Sequence, residues 1–341
     1  MRKSLLALLL LAATGLVQAQ VQLREGHPQS YTVVAGDTLW GISGKFLSQP
    51  WKWPQLWRAN PQVHDPDLIY PGDTLILTYV DGQPRIMVNR GESRGTIKLS
   101  PRVRSTPIAD AIPTIPLGAI NAFLLNNRIM DTAKQFDDAP YILAGNGERV
   151  LSGAGDRIYA RGSFDPSHTS YGIFRQGKTY FDPETDEPLG INADDIGSGQ
   201  IVANEGDVAT LQMQRSTQEV RLGDRLFVSE ERAINSTFVP SEPARPVDGM
   251  IIDVPRGVTQ IGEFDVVTLD RGRKDGLVEG NVLAIFKAGE TVRDRISGEQ
   301  VKIPDERAGL AMVFRTYDRL SYAMVLHATR SLAVNDRVHN P

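Results

Sequence analysis

From residue 141 to the C-terminus the apolar residues come in short runs, separated by turn segments that carry glycine, proline, asparagine and aspartate. Runs of that length are too short for a helical period and suit strands. Two hundred residues of this pattern restrict the chain to antiparallel β architectures, either barrel-like or sandwich. Strands are expected over 156–160, 171–181, 206–214 and 224–228, then over 250–254, 264–270, 282–286, 310–314 and 321–329. With 31 glycines, 21 prolines and no cysteine, a disulfide scaffold, a thiolate zinc site and a cysteine nucleophile are all excluded.

Residues 1–19 have a different character. Arg2 and Lys3 precede an apolar run from Leu5 to Val17, and Val17-Gln18-Ala19 offers a small-residue cleavage site. This is the pattern of a cleaved signal peptide that directs export to the periplasm. Cleavage after Ala19 would remove two cations and no acids, taking the net charge from −4 to −6. No basic stripe is present, so nucleic acid is not an expected partner.

The 31–77 segment reads as strand, helix, helix, strand. A strand over 31–34 ends at Gly36, and Asp37-Thr38 supplies an N-cap for a helix with Leu39, Ile42 and Phe46 on one face. Ser48-Gln49-Pro50 breaks it. A second helix begins near Trp53, with Pro54 in its first turn and Trp53, Leu56, Trp57 and Asn60 along one side, and Asn60-Pro61 ends it. A loop over 64–72 leads to a strand over 73–77. Trp40 and Trp57 have the phase of core residues, whereas Trp51 and Trp53 suit either a core or a sugar-stacking surface. His64, Asp65 and Asp67 read as turn residues around Pro66 rather than as a metal set.

These words resemble the LysM domain. The matching blocks are YTVVAGDTLW (31–40), WRANP (57–61) and IYPGDTL (69–75); the link between the helices, 46–53, is longer and richer in Trp than usual. The resemblance implies a small βααβ domain within 28–80 that binds N-acetylglucosamine-containing glycan, peptidoglycan or chitin, in a shallow groove between two loops. Carried over to this chain, the groove is Gly36, Asp37, Thr38 and Leu39 with Asp67, Leu68, Ile69 and Tyr70. Backbone amides and carbonyls serve the sugar amide and hydroxyls, so no charged catalytic group is required.

The rest divides into a connecting segment, 81–140, with short strands and a helix within 116–130; a β module, 141–234; a Pro-rich linker, 235–247; and a C-terminal β module, 248–341. Gly155-Asp156-Arg157, Gly223-Asp224-Arg225 and Asn335-Asp336-Arg337 share a word, and the segment before Asp224 aligns without a gap with the one before Asp336, 112 residues on. Two related modules would account for this, as would simple reuse of a favourable turn.

Gly172 to Thr179 fits G-x-x-x-x-G-K-[ST], yet Tyr180-Phe181-Asp182-Pro183 follows and gives no helix to face phosphates. A hairpin turning at Gln176-Gly177 is expected instead, and no nucleotide. Glu92, flanked by Gly91 and Ser93, reads as a turn residue rather than a glycosidase acid. No H-E-x-x-H, His-x-His or G-x-S-x-G pattern occurs, so neither catalysis, metal nor cofactor is expected. The α+β architecture, with FDVVTLDRGRKDGLVEG (264–280) and VKIPDERAGLAMVF (301–314), resembles the TsaP-like LysM proteins associated with type IV pilus secretins. Their C-terminal part is similar to the flagellar assembly protein FlgT. The resemblance implies a peptidoglycan-bound anchor for an outer-membrane secretin, assembled as a ring of copies around it. A general wall-binding protein and a peptidoglycan hydrolase are the alternatives.

Overall fold

The computed structural model describes residues 21–57, 69–90, 114–115, 120, 123, 127–145, 153–229, 238–255 and 260–341. The chain forms two compact units, 1–112 and 113–341. The expected signal peptide, the His64–Asp65–Asp67 cluster and Glu92 lie outside the described residues.

In the first unit, β1 (Ser30–Thr32) pairs antiparallel with β2 (Thr74–Val80), and β2 with β3 (Gln83–Asn89). Helices α1 (Leu39–Phe46) and α2 (from Trp53 to Trp57) contribute to the core beneath the sheet, joined by a short 3-10 turn at Pro50–Lys52. The third strand falls in the segment expected to hold short strands, but its pairing with β2 was not foreseen. It arises because Asp81 and Gly82, both at positive φ, turn the chain back so that Leu77 faces Ile86 across the pair. All four tryptophans are buried, Trp51 and Trp53 included. A unit this small closes its core with indole rings in place of disulfides. A sugar-stacking surface made of Trp51 and Trp53 is thereby ruled out.

The second unit holds two β assemblies. In the first, β5 (Tyr141–Gly145), β6 (Arg157–Arg161), β7 (Ser170–Phe181), β8 (Pro188–Glu205), β9 (Val208–Ser216) and β10 (Arg225–Val228) pair in the order β5-β6-β9-β8-β7-β10. β10 returns to β5, which closes the ring. A further strand, β4 (Asn127–Met130), adds to β8, and a five-residue helix, α3 (Ala133–Asp137), follows it with a Thr132 capping box. Of the helix expected within 116–130, Ile120 and Phe123 are helical and 127–130 is strand.

The second assembly is a closed barrel of β11 (Asp248–Asp253), β12 (Val266–Leu269), β13 (Val282–Lys287), β16 (Glu306–Thr316), β17 (Ser321–Ala328) and β18 (Arg337–His339). Its order is β11-β12-β17-β16-β13-β18. Matched in chain order, the two barrels have one topology. A hairpin of β14 (Thr291–Arg293) and β15 (Gln300–Lys302) extends from β13 and β16.

The likeness reaches individual bonds. Ile173 pairs with Gly197 and Ile285 with Gly309, each followed by the same irregularity, and all four are 112 residues apart in pairs. Thr217 Oγ1 donates to the Ile196 carbonyl at 3.0 Å, and Thr329 Oγ1 to that of Ala308 at 3.1 Å. Reuse of a turn alone would not reproduce strand order, bulges and side-chain bonds together. The 112-residue spacing is a repeat of a whole barrel.

One turn recurs in every part of the fold. At Val34–Asp37, Tyr70–Asp73, Gly153–Asp156, Arg221–Asp224, Gly262–Asp265 and Ala333–Asp336, the aspartate carboxylate accepts from the amide of the first residue at 2.7–3.1 Å. The aspartate's own N–H returns to that residue's carbonyl. The third residue has positive φ, so glycine fills it four times, Asn335 once and Phe264 once. Five of the six lead directly into a strand, and the Val34–Asp37 turn leads into α1.

The Gly172–Thr179 word lies inside β7, one continuous strand rather than the expected hairpin. Between Gln176 and Thr179 the strand carries one residue more than its partner, a bulge at Gly177-Lys178 that absorbs the turn-like residues. The Pro-rich stretch is held at 238–247: Ser241 bridges Asn281 and the Val247 amide donates to Asn340 Oδ1 at 2.8 Å.

Candidate functional site

The expected groove is built by two of the recurring turns. Gly36, at φ +91°, and Gly72, at φ +101°, both require the left-handed region. Asp37 Oδ2 accepts from the Val34 amide and from the Tyr31 hydroxyl, each at 2.9 Å. Burial first, and the Asp37 bond second, push the Tyr31 phenol above its usual range. Lys45 stands over the Tyr31 ring, 4.8 Å from its centroid. Thr38 caps α1 by accepting from the Gly41 amide at 3.1 Å.

The second loop is tied directly to the first. The Gly72 amide donates to the Val33 carbonyl at 2.8 Å, and the Val33 amide to the Asp73 carbonyl at 2.9 Å. Asp73 Oδ2 also accepts from the Tyr70 amide and from Arg90 Nε. Arg90 lies 5.8 Å from the Tyr70 ring centroid. These bonds set the spacing of the two loops.

The side chains of Leu39 and Ile69 are buried in the core, so those two positions present backbone only. Asp37 and Thr38 have their side-chain oxygens engaged with the chain itself. Asp67 and Leu68 lie outside the described residues. What the site offers is main-chain donors and acceptors on a scaffold with a Tyr70 ring at its margin, suited to an uncharged polar ligand. Sequence reasoning missed Val33, Asp73 and Arg90. The Gly72-Asp73 word, a copy of Gly36-Asp37, was the signal that pointed to Asp73.

The family described as "LysM domain" matches residues 31–78. Residues 31–78 are a LysM domain. LysM domains bind the glycan chains of peptidoglycan, so this chain carries a carbohydrate-binding module. A protein of Bacillus subtilis (strain 168) described as "Uncharacterized protein YqbP" is 48% identical over 36 residues, 11% of this chain and 16% of that protein. The likeness is confined to a small part of either chain, and β3 lies beyond the LysM match.

Proposed function

We propose that this protein is an exported, non-catalytic envelope protein that binds peptidoglycan through its LysM domain and holds the outer-membrane secretin of type IV pili through its two barrels. The observation that carries the reading is the LysM match with its two loops already locked at fixed spacing. Support for export comes from residues 1–19, and support for the secretin from the resemblance of 264–280 and 301–314 to secretin-associated LysM proteins. Those words fall on β12 with the turn after it, and on β15 with β16, all parts of the second barrel or its hairpin.

A single LysM groove holds glycan weakly. A ring of copies around a secretin raises attachment through effective concentration, so that pilus load is shared with the wall. The test is a pull-down from detergent-solubilised envelopes with residues 20–341, with and without 31–77. Secretin recovered by both forms, and sacculi only by the longer, is the expected result. Sacculi alone would remove the secretin from the reading, and muropeptide release from purified sacculi would make the protein a hydrolase.

A further inference from the structure

The two barrels carry the same hairpin extension, but only one of them is seated. The β7–β8 extension crosses to the second barrel. There the Tyr180 hydroxyl donates to Asp253 Oδ2 at 3.1 Å, Lys178 pairs with Asp253, Glu187 meets Arg319 at 3.0 Å and Glu184 meets Arg337 at 3.5 Å. On this docked hairpin Tyr180, Leu189 and Ile191 are buried.

Residues 112 further on make up the β14–β15 hairpin. Its turn has the same bonds: the Asp182 amide donates to the Glu187 carbonyl, and the Asp294 amide to that of Glu299. Val292, Val301 and Ile303 replace Tyr180, Leu189 and Ile191, and all three are at least 40% exposed. Ile296, at the tip, is 99% exposed. Val292 and Val301 face each other across the pair, so they form one apolar face. A soluble chain rarely extends such a face with nothing to receive it.

The receiving surface is also repeated. In the second barrel it centres on Asp253, which follows a bulge opposite Leu269 and Thr268. The first barrel has the same bulge opposite Ala160 and Tyr159, and the residue in the place of Asp253 is Ala144. Arg225 stands where Arg337 does. Its guanidinium already donates to the carbonyls of Asp137 and Ala139 and covers the Tyr141 ring, so it calls for no acidic partner. Two of these contacts change on both sides together, while Glu187 on Arg319 becomes Glu299 opposite Asp207, whose charge Arg161 already balances at 2.8 Å. Lys178 and Tyr180 on Asp253 become Glu290 and Val292 on Ala144, and Glu184 on Arg337 becomes Ile296 beside Arg225 and Tyr141.

We infer that the β14–β15 hairpin seats on the first barrel of a second copy of this chain, repeating between molecules the contact that joins the two barrels within one. Such a contact is head-to-tail. It leaves one free hairpin and one free barrel at the ends of every open assembly, so it continues until it closes into a ring or extends as an open filament. The inference rests on the barrel repeat and stands whether or not a secretin is the partner.

The test is sedimentation velocity on residues 20–341 over a concentration series. Wild type is expected to self-associate. Val292→Asp with Val301→Asp blocks the hairpin, and Ala144→Asp blocks the receiving barrel with a residue that the sister barrel already carries at that place. Each variant alone should associate at least about tenfold more weakly, with an unchanged melting profile. Mixed in equal amounts, the two retain one intact hairpin and one intact receiving barrel between them, and should form a dimer that grows no further. A monomeric wild type, variants that associate as wild type does, or a mixture that stays monomeric would each overturn the inference.

Discussion

Asp270 is a carboxylate at which pH should act on the barrels directly. It sits at the end of β12 with its side chain buried, where Oδ1 accepts from the Met250 amide at 2.7 Å and Oδ2 lies 3.0 Å from Arg271 Nη1. Burial pushes its pKa up from 3.8 to about 6, against the opposing pull of the Met250 amide and the Arg271 charge. The folded barrel thus holds a proton that the unfolded chain releases. Its contribution to stability is complete below pH 3.8 and is lost as pH rises through about 6. A shift of roughly two units corresponds to about 3 kcal/mol at neutral pH. Asp270→Asn keeps the acceptor for Met250 and has no charge to desolvate, while Arg271 retains the carbonyls of Asp248 and Asp270 and the carboxylate of Asp182. The variant should therefore be more stable than wild type at pH 8 by about 2–3 kcal/mol, near 5–10 °C in Tm for a unit of this size, and equal to it at pH 4. Differential scanning calorimetry at both pH values measures this. A gain of the same size at both, or a loss at pH 8, would refute the desolvation argument.

Other outcomes follow from the turns and the tryptophans. Asp224→Ala removes the acceptor for the Arg221 amide and strips two bonds from Arg175, both at 2.8 Å, so it should cost about 3 kcal/mol in urea unfolding of the barrels. Phe264→Gly relieves a non-glycine residue at φ +68° and should raise barrel stability by about 1 kcal/mol in the same assay. Trp53→Ala should destabilise the LysM domain by about 3–5 kcal/mol and lower sacculus pelleting only through unfolding; lost pelleting with an unchanged LysM melting curve would return Trp53 to the glycan surface. Thr38→Pro removes the cap of α1 and imposes a φ far from the observed −126°, so pelleting should fall while the barrels melt unchanged. Unchanged pelleting would put the groove elsewhere.

The LysM helices and the recurring turns were legible because their signals are local: a capping threonine, apolar residues at helical spacing, a glycine before an aspartate. The longest strand was not. β8 runs from Pro188 to Glu205 through Gly190, Gly197 and Gly199, a composition that argues against any strand. The glycines are there because neighbours come too close for a side chain: a Cβ on Gly197 would lie 2.4 Å from the Arg215 carbonyl oxygen, and one on Gly199 3.0 Å from that of Gln212. Gly309 repeats the first of these at 2.6 Å from the His327 carbonyl oxygen. Only the close approach of paired strands explains such residues, and one chain read linearly shows no trace of it. The groove has the same limit. Its turn words were visible, but the bonds that join Val33 to Gly72 and Asp73 depend on β1 lying beside β2.

In each barrel the first and last strands are neighbours, and in the second Asp248 pairs with His339, so the chain enters and leaves the barrel at one point. Tension applied across those two ends would peel β11 from β18 one bond at a time and meet little resistance. Tension delivered through the β7–β8 hairpin would instead have to slide long paired strands past each other at once. A load-bearing role therefore favours attachment through hairpins over attachment through the C-terminus. Optical-tweezer handles placed at the two kinds of site would report it as two distinct rupture forces in one molecule.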